Sequence, residues 1–175
     1  MDIMETVADL IEISARTAPK TCGQDYVESK VITGDTLNNL AEEMADYGSK
    51  AGAASFNRDA NNISNSCAVL LLSVKQPEEP GLNCGACGYE NCAHFSKIPK
   101  NKGPQFDGPI CAWRLVDLGI ALGSAAKTAG LLNTDNRVMY SVGVVAKKMN
   151  LIEGNIVVGI PISVTGKSIY FDRKK

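Results

Sequence analysis

Residues 83–95 read NCGACGYENCAHF: three cysteines and two glycines in a short polar loop, with a further cysteine at position 111. The stretch has little apolar surface to bury, so its order has to come from whatever its thiols hold. The surrounding segment, from Gln76 to Pro109, carries most of the prolines, several glycines and little apolar periodicity. That composition marks a loop-rich insertion in a larger domain, with residues 77–111 as its cysteine-bearing part.

What thiols bind depends on where they reside. The first residues, MDIMETVADLIEI, place Asp2, Glu5, Asp9 and Glu12 where a secretory signal would need basic residues and an apolar block. No apolar run reaches the roughly 18–20 residues that span a bilayer. The expectation is therefore a cytoplasmic protein without a membrane span. There thiols stay reduced, and clustered cysteines point to metal or redox chemistry before disulfides.

Cys84, Cys87, Cys92 and Cys111 follow the spacing C-x2-C-x4-C-x18-C. Three ligands on one loop and a fourth from a distant element can surround a compact metal centre. Gly85 and Gly88 each follow a cysteine; they admit unusual backbone angles and leave N–H groups free to point at sulfur. Hydrogen bonds of that kind help set the potential of an iron–sulfur cluster. Zinc is the competing metal: Cys84 and Cys87 form one short hook, and Cys92 with His94 can complete a mixed site. Two cysteines fall outside the set, Cys67 reading as a small buried hydrophobe and Cys22 as an inert exposed thiol. His94 reads as a partly exposed loop residue.

The rest of the chain is ordinary. Its 175 residues suit one domain, 1–175, with 45% apolar and 21% charged residues. A net charge of −1, without a long run of one sign, gives no nucleic-acid partner to expect. Residues 3–17 put Ile3, Val7, Leu10, Ile11 and Ser14 on one helical face, and 26–33 alternate as a strand. Asp35 and Thr36 cap a second helix that buries Leu37, Leu40, Ala41, Met44 and Tyr47 and ends at Gly48. A polar, Asn-rich stretch follows, then a buried strand over 67–74. Residues 110–129 make the most apolar helix. Asp135 caps another, carrying Val138, Val142, Val145 and Met149; 155–163 is a second buried strand and 168–173 a short third. Helices and strands interspersed around an apolar sheet give an α+β or α/β class.

CGACGYENCAHF with a later cysteine resembles the 4Fe–4S domain of corrinoid iron–sulfur proteins and of Rnf-type electron-transport subunits. That resemblance implies one 4Fe–4S cluster held by Cys84, Cys87, Cys92 and Cys111. Three further segments, ARTAPKTCGQD (15–25), DLGIALGSAAKTAG (117–130) and VVGIPISVTGKSIYFDR (157–173), resemble in this order a nitroreductase-like family. They match its helix before the flavin loop, the helix leading to the flavin ring edge, and its late Gly-x-Pro strand. With the cysteine loop added, the whole chain resembles small bacterial and archaeal ferredoxin-domain-containing proteins.

The resemblance implies an α+β nitroreductase-like core with an inserted iron–sulfur loop, an FMN, and a homodimer that builds the flavin pocket across its interface. Arg16, Thr17, Lys20, Gly123, Ser124 and Lys167 would line that pocket. The family's basic Arg-Arg-Ser start has no counterpart in this sequence, and Lys20 stands where a flavin-contacting Ser is usual; Arg16, Lys20, Lys167 and Arg173 can supply the charge. Asp117, inside an apolar helix, needs a partner, Arg114 or Arg137. The implied function is redox: an electron donor or acceptor protein, or a small redox substrate, served by an FMN-dependent oxidoreductase. Two alternatives stay open, a ferredoxin-like carrier without flavin and a zinc-stabilised binding module.

Overall fold

The run AVLLLSV becomes the middle of a sheet. The computed structural model describes residues 3–171. Helix α1 (Ile3–Arg16) leads through a 3-10 turn (Thr21–Gly23) to strand β1 (Val27–Ile32), then α2 (Gly34–Ala51), α3 (Ala54–Ser64) and β2 (Ala68–Val74). The long connection that follows contains a one-turn helix α4 (Cys92–Phe95) and a two-residue ribbon, β3 (Asn101–Lys102) with β4 (Asp107–Gly108). The chain closes with α5 (Ala112–Leu131), β5 (Asp135–Asn136), α6 (Tyr140–Lys148) and β6 (Ile156–Ser163).

The main sheet has the order β1-β2-β6-β5, antiparallel throughout, with Val69 opposite Pro161 and Ile32 opposite Val69. Every residue of β2 is buried because both faces of the sheet are covered. Val69, Leu71 and Val157 pack with side chains of α2, α3 and α6, such as Leu40, Ile63 and Val142. Leu70, Leu72 and Ile160 pack with Ile11 of α1 and Leu118, Ala121 and Ala125 of α5. Each such Leu or Ile contributes about 1.5–3 kcal/mol by leaving water. The fold is thus α+β, with two helical layers around one sheet.

Several expectations change. Helix α2 does not stop at Gly48: it continues to Ala51, and Gly52 takes the left-handed cap (φ 62°). Gly48 is there for close packing, since a Cβ would stand 2.3 Å from Oδ1 of Asn57 on α3. Thr33 occupies the N-cap of α2, without a side-chain bond, in place of Asp35 and Thr36. The Asn-rich stretch is helix α3; its buried Asp59 and Asn62 hide the apolar stripe of Phe56, Ala60 and Ile63. Asp135 pairs as a strand with Ser163, and α6 begins at Tyr140. The buried face of α1 is Ala8, Ile11 and Ala15, while Ile3 and Leu10 are exposed. Cys67 is exposed just before β2. Residues 169–171 form a turn, not a third strand; Asp172 and Arg173 lie outside the described residues.

Candidate metal centre

The cysteine loop is shaped by its own main chain. Asn83, Gly85 and Gly88 all have positive φ (49°, 71° and 85°). Such angles cost a side chain about 1–2 kcal/mol and glycine almost nothing. Asn83 meets the cost by accepting, through Oδ1, the backbone N–H of Cys92 at 2.9 Å. The Gly88 N–H donates to the Gly85 carbonyl at 2.9 Å. Asn91 caps α4, accepting the His94 N–H at 2.8 Å. A small plug of Phe95, with Tyr89 against it edge-on at 5.3 Å, is the loop's own apolar content.

The fourth cysteine comes from a different layer. Cys111 is buried at the N-cap of α5, where its carbonyl accepts from the N–H groups of Arg114 and Leu115. Cys111 thus stands at the N-terminal end of a 20-residue helix, where backbone N–H groups lack partners within the helix. Trp113, in the first turn of the same helix, donates its indole N–H to Cys84 Sγ at 3.1 Å. Cys84 of the loop thus lies beside the element that begins at Cys111. The backbone N–H of Ala86 and then the Trp113 indole hold the Cys84 thiol below its ordinary pKa.

Cys87 and Cys92 are half-buried, and Cys84 is exposed. Among the described residues no three His, Cys, Asp or Glu side chains stand together as a closed metal cage. The Trp113 contact brings Cys84 to the start of α5, where Cys111 lies, while Cys87 and Cys92 stay on the loop. The donor set fits a thiolate-held centre: sulfur ligands, N–H donors aimed at sulfur, and an exposed His94 as the sole imidazole. Cys22 lies exposed in the 3-10 turn, outside this group.

The expected flavin residues fall on two adjoining helices and one loop. Arg16, Thr17 and Lys20 lie at or just after the end of α1; Gly123 and Ser124 lie within α5, and Ser14 Oγ donates to the Ser124 carbonyl at 3.3 Å. Arg16 forms an ion pair with Asp25 at 2.8 Å and donates to the Val27 carbonyl. Lys20 turns back on α1, donating to the carbonyls of Arg16 (2.6 Å) and Ala15 (3.2 Å), with its side chain 6% exposed. Thr17 donates to the Ile13 carbonyl at 2.9 Å. Lys167 is exposed in the loop after β6. Asp117 has its expected partner: Arg114 Nη1 lies 3.2 Å from Oδ2, both residues almost fully buried, whereas Arg137 donates to the Tyr170 carbonyl. Trp113 went unassigned in the sequence; its signal was position alone, two residues after Cys111 in an apolar helix.

Residues 107–173 match the family described as "Uncharacterized protein containing a ferredoxin domain (DUF2148)", and residues 80–97 match the family described as "Putative Fe-S cluster". A protein of Archaeoglobus fulgidus is 47% identical over 163 residues, covering 91% of this chain and 86% of that protein. Among solved structures, nitroreductase CinD from Lactococcus lactis in complex with chloramphenicol has a TM-score of 0.63 at 16% identity, covering 98% of this chain and 85% of that one. The FMN-dependent nitroreductase NfnB from Mycobacterium smegmatis, in complex with NADPH, has a TM-score of 0.59 at 12% identity, covering 93% of this chain and 78% of that one. At such identities the likeness establishes the fold: it is nitroreductase-like.

Proposed function

This chain belongs to the family of proteins containing a ferredoxin domain, and from that premise we propose that it is a cytoplasmic FMN-dependent electron-transfer protein carrying one 4Fe–4S cluster. The observation that carries the proposal is the meeting of the cysteine loop with the start of α5, marked by the Trp113–Cys84 contact. Cys84, Cys87, Cys92 and Cys111 are the ligands, and 77–111 is the segment that holds them. A cluster supplies single electrons and a flavin exchanges one or two, so the pair links a one-electron carrier to a two-electron acceptor. The N–H groups of Ala86 and Trp113 stabilise negative charge on the Cys84 sulfur.

Flavin binding is assigned to Arg16, Thr17, Lys20, Gly123, Ser124 and Lys167, with Lys167 as the cation for the phosphate. The homodimer is supported by α5. Its outward stripe of Val116, Gly119, Ile120 and Gly123 is exposed although the helix is apolar all round, and such a helix needs cover on both sides. Redox partners are an electron donor or acceptor protein or a small redox substrate.

A second reading, a ferredoxin-like carrier without flavin, is favoured by one observation. Arg16 and Lys20 spend their charge inside the protein, on Asp25 and on the end of α1. Anaerobic purification separates the readings. Flavin with cluster gives a structured yellow spectrum over a brown shoulder bleached by dithionite; the carrier gives the brown shoulder alone. Colourless protein with bound zinc overturns both.

A further inference from the structure

Arg114 heads the largest side chains withdrawn from water, at 1% exposure, and it lies three residues after Cys111. Its guanidinium is shared among three segments. Nε donates to the Glu78 carbonyl at 2.8 Å, on the approach to the cysteine loop. Nη1 donates to the Thr21 carbonyl at 3.1 Å and to Asp117 Oδ2 at 3.2 Å; Nη2 donates to Gln24 Oε1. Asp117 completes the knot, its Oδ1 accepting both the backbone N–H and the hydroxyl of Thr21 at 2.7 Å.

Burying a guanidinium and a carboxylate together gives weak stability at best, because desolvation consumes most of their attraction. An apolar side chain would fill the space as well. What only Arg114 does is hold the backbone entering the cysteine loop and the backbone of the 20–25 loop through one rigid fork. We propose that Arg114 is a positioning residue through which occupancy of the cysteine site sets the order of residues 17–25. Closing the cysteines on a cluster fixes residues 76–80; Glu78 then fixes the fork, and the fork fixes Thr21 and Gln24. The inference rests on the iron–sulfur assignment above and not on the flavin, although that loop follows directly on Arg16, Thr17 and Lys20.

Hydrogen exchange by mass spectrometry tests it, on protein stripped of iron and on protein reconstituted anaerobically with ferrous iron and sulfide, with bound iron measured in each. In the wild type, amides of 17–25 should exchange about tenfold or more slowly once iron is bound, while peptides of β2 and β6 stay unchanged. R114K keeps a positive charge near Asp117 and lacks the fork. It should load as much iron and leave 17–25 exchanging fast in both states. If R114K does not fold, Q24A, which removes only the Oε1 acceptor, is read in the same way with a smaller change. A wild-type 17–25 loop indifferent to iron, or an iron response kept in the variant, overturns the proposal. Failure of the wild type to take up iron shows instead in the iron assay and sinks the cluster assignment. The coupling is then judged in metal-free protein, where the variant must speed exchange in 17–25 and 76–80 together; speeding in one alone overturns it.

Discussion

The sheet with its helices and the connection between β2 and α5 are held by different physics. In the sheet, side chains from two directions exclude water, and β2 is covered at every position. In residues 76–110, only Pro77 and Phe95 are buried, and order comes from turns, capping amides and positive-φ residues. A region built on burial keeps its shape when one contact is lost. A region built on local turns needs a cross-link, and under the proposed function the cysteines supply it.

The comparison breaks most visibly at two points, one in each region. A Cβ at Gly143 of α6 would stand 1.8 Å from the Val157 carbonyl oxygen of β6. Backbone cannot yield there as a side-chain tip would, so Gly143→Ala should cost roughly 3 kcal/mol or more, or prevent folding. Circular dichroism and a denaturant midpoint measure it; an unchanged midpoint would show that α6 can lift off the sheet freely. Cysteine replacement should do the opposite. Cys84→Ala, Cys87→Ala, Cys92→Ala or Cys111→Ala should each lose full cluster loading with secondary structure intact, whereas Cys22→Ala and Cys67→Ala should keep the iron. Stripping iron from the unaltered protein should open residues 77–109 to protease and leave the core resistant. Global unfolding on iron removal would mean the two regions share one source of stability.

The same contrast explains what the sequence disclosed. Burial writes itself as pattern: the run at 68–74 and the alternation at 27–32 are legible because water exclusion acts on each residue separately. The cysteine site is legible because thiol chemistry needs fixed residue types at short spacing. Glycines and buried polar groups were misread, since their roles depend on a neighbour far along the chain. Gly48 looked like a helix stop and is a contact surface for Asn57. Asp59, in the Asn-rich stretch read only as polar, is buried and accepts the Ser141 hydroxyl at 2.5 Å. Asp117 announced its need of a partner, and Arg114 met it. Glu78, Thr21 and Gln24 are loop residues without pattern, so the knot around Arg114 could not be read.

A third measurement asks whether the core, and not the cysteine region, carries a flavin. A flavin phosphate is dianionic near neutral pH and needs a cation with several N–H donors. Lys167→Ala should weaken FMN binding by about 1.5–3 kcal/mol while iron content stays unchanged. Titration of apo protein with FMN reads both affinities. No saturable binding in the unaltered protein would remove the flavin and leave the carrier.

A smaller effect reports on the core alone. Tyr170 is buried beside Ser66, its hydroxyl 2.8 Å from Ser66 Oγ, and burial pushes its pKa up to about 12. An unfolded tyrosine titrates near 10. The folded state therefore holds this proton more tightly, and the resulting stability is complete below about pH 10 and lost as pH climbs from there towards 12. Denaturant midpoints should fall over that window more steeply in the wild type than in Tyr170→Phe, which has nothing to titrate. Equal slopes would assign the alkaline loss to other groups.

The smallest expected effect lies where the two regions touch. Trp113 belongs to α5, which is anchored in the core by Leu118, Ala121 and Ala125, yet its indole N–H reaches Cys84 of the loop at 3.1 Å. A donor to a ligating sulfur favours the more negative, reduced state and so raises the midpoint potential. Trp113→Phe keeps an aromatic ring at this position and removes that donor. The expected result is full iron loading with a potential more negative by tens of millivolts, about what one hydrogen bond is worth for a one-electron couple. Redox titration followed by the visible absorbance measures it. An unchanged potential would mean that the loop closes on its metal without keeping this contact, and that the core steadies the cluster through Cys111 and not through Trp113.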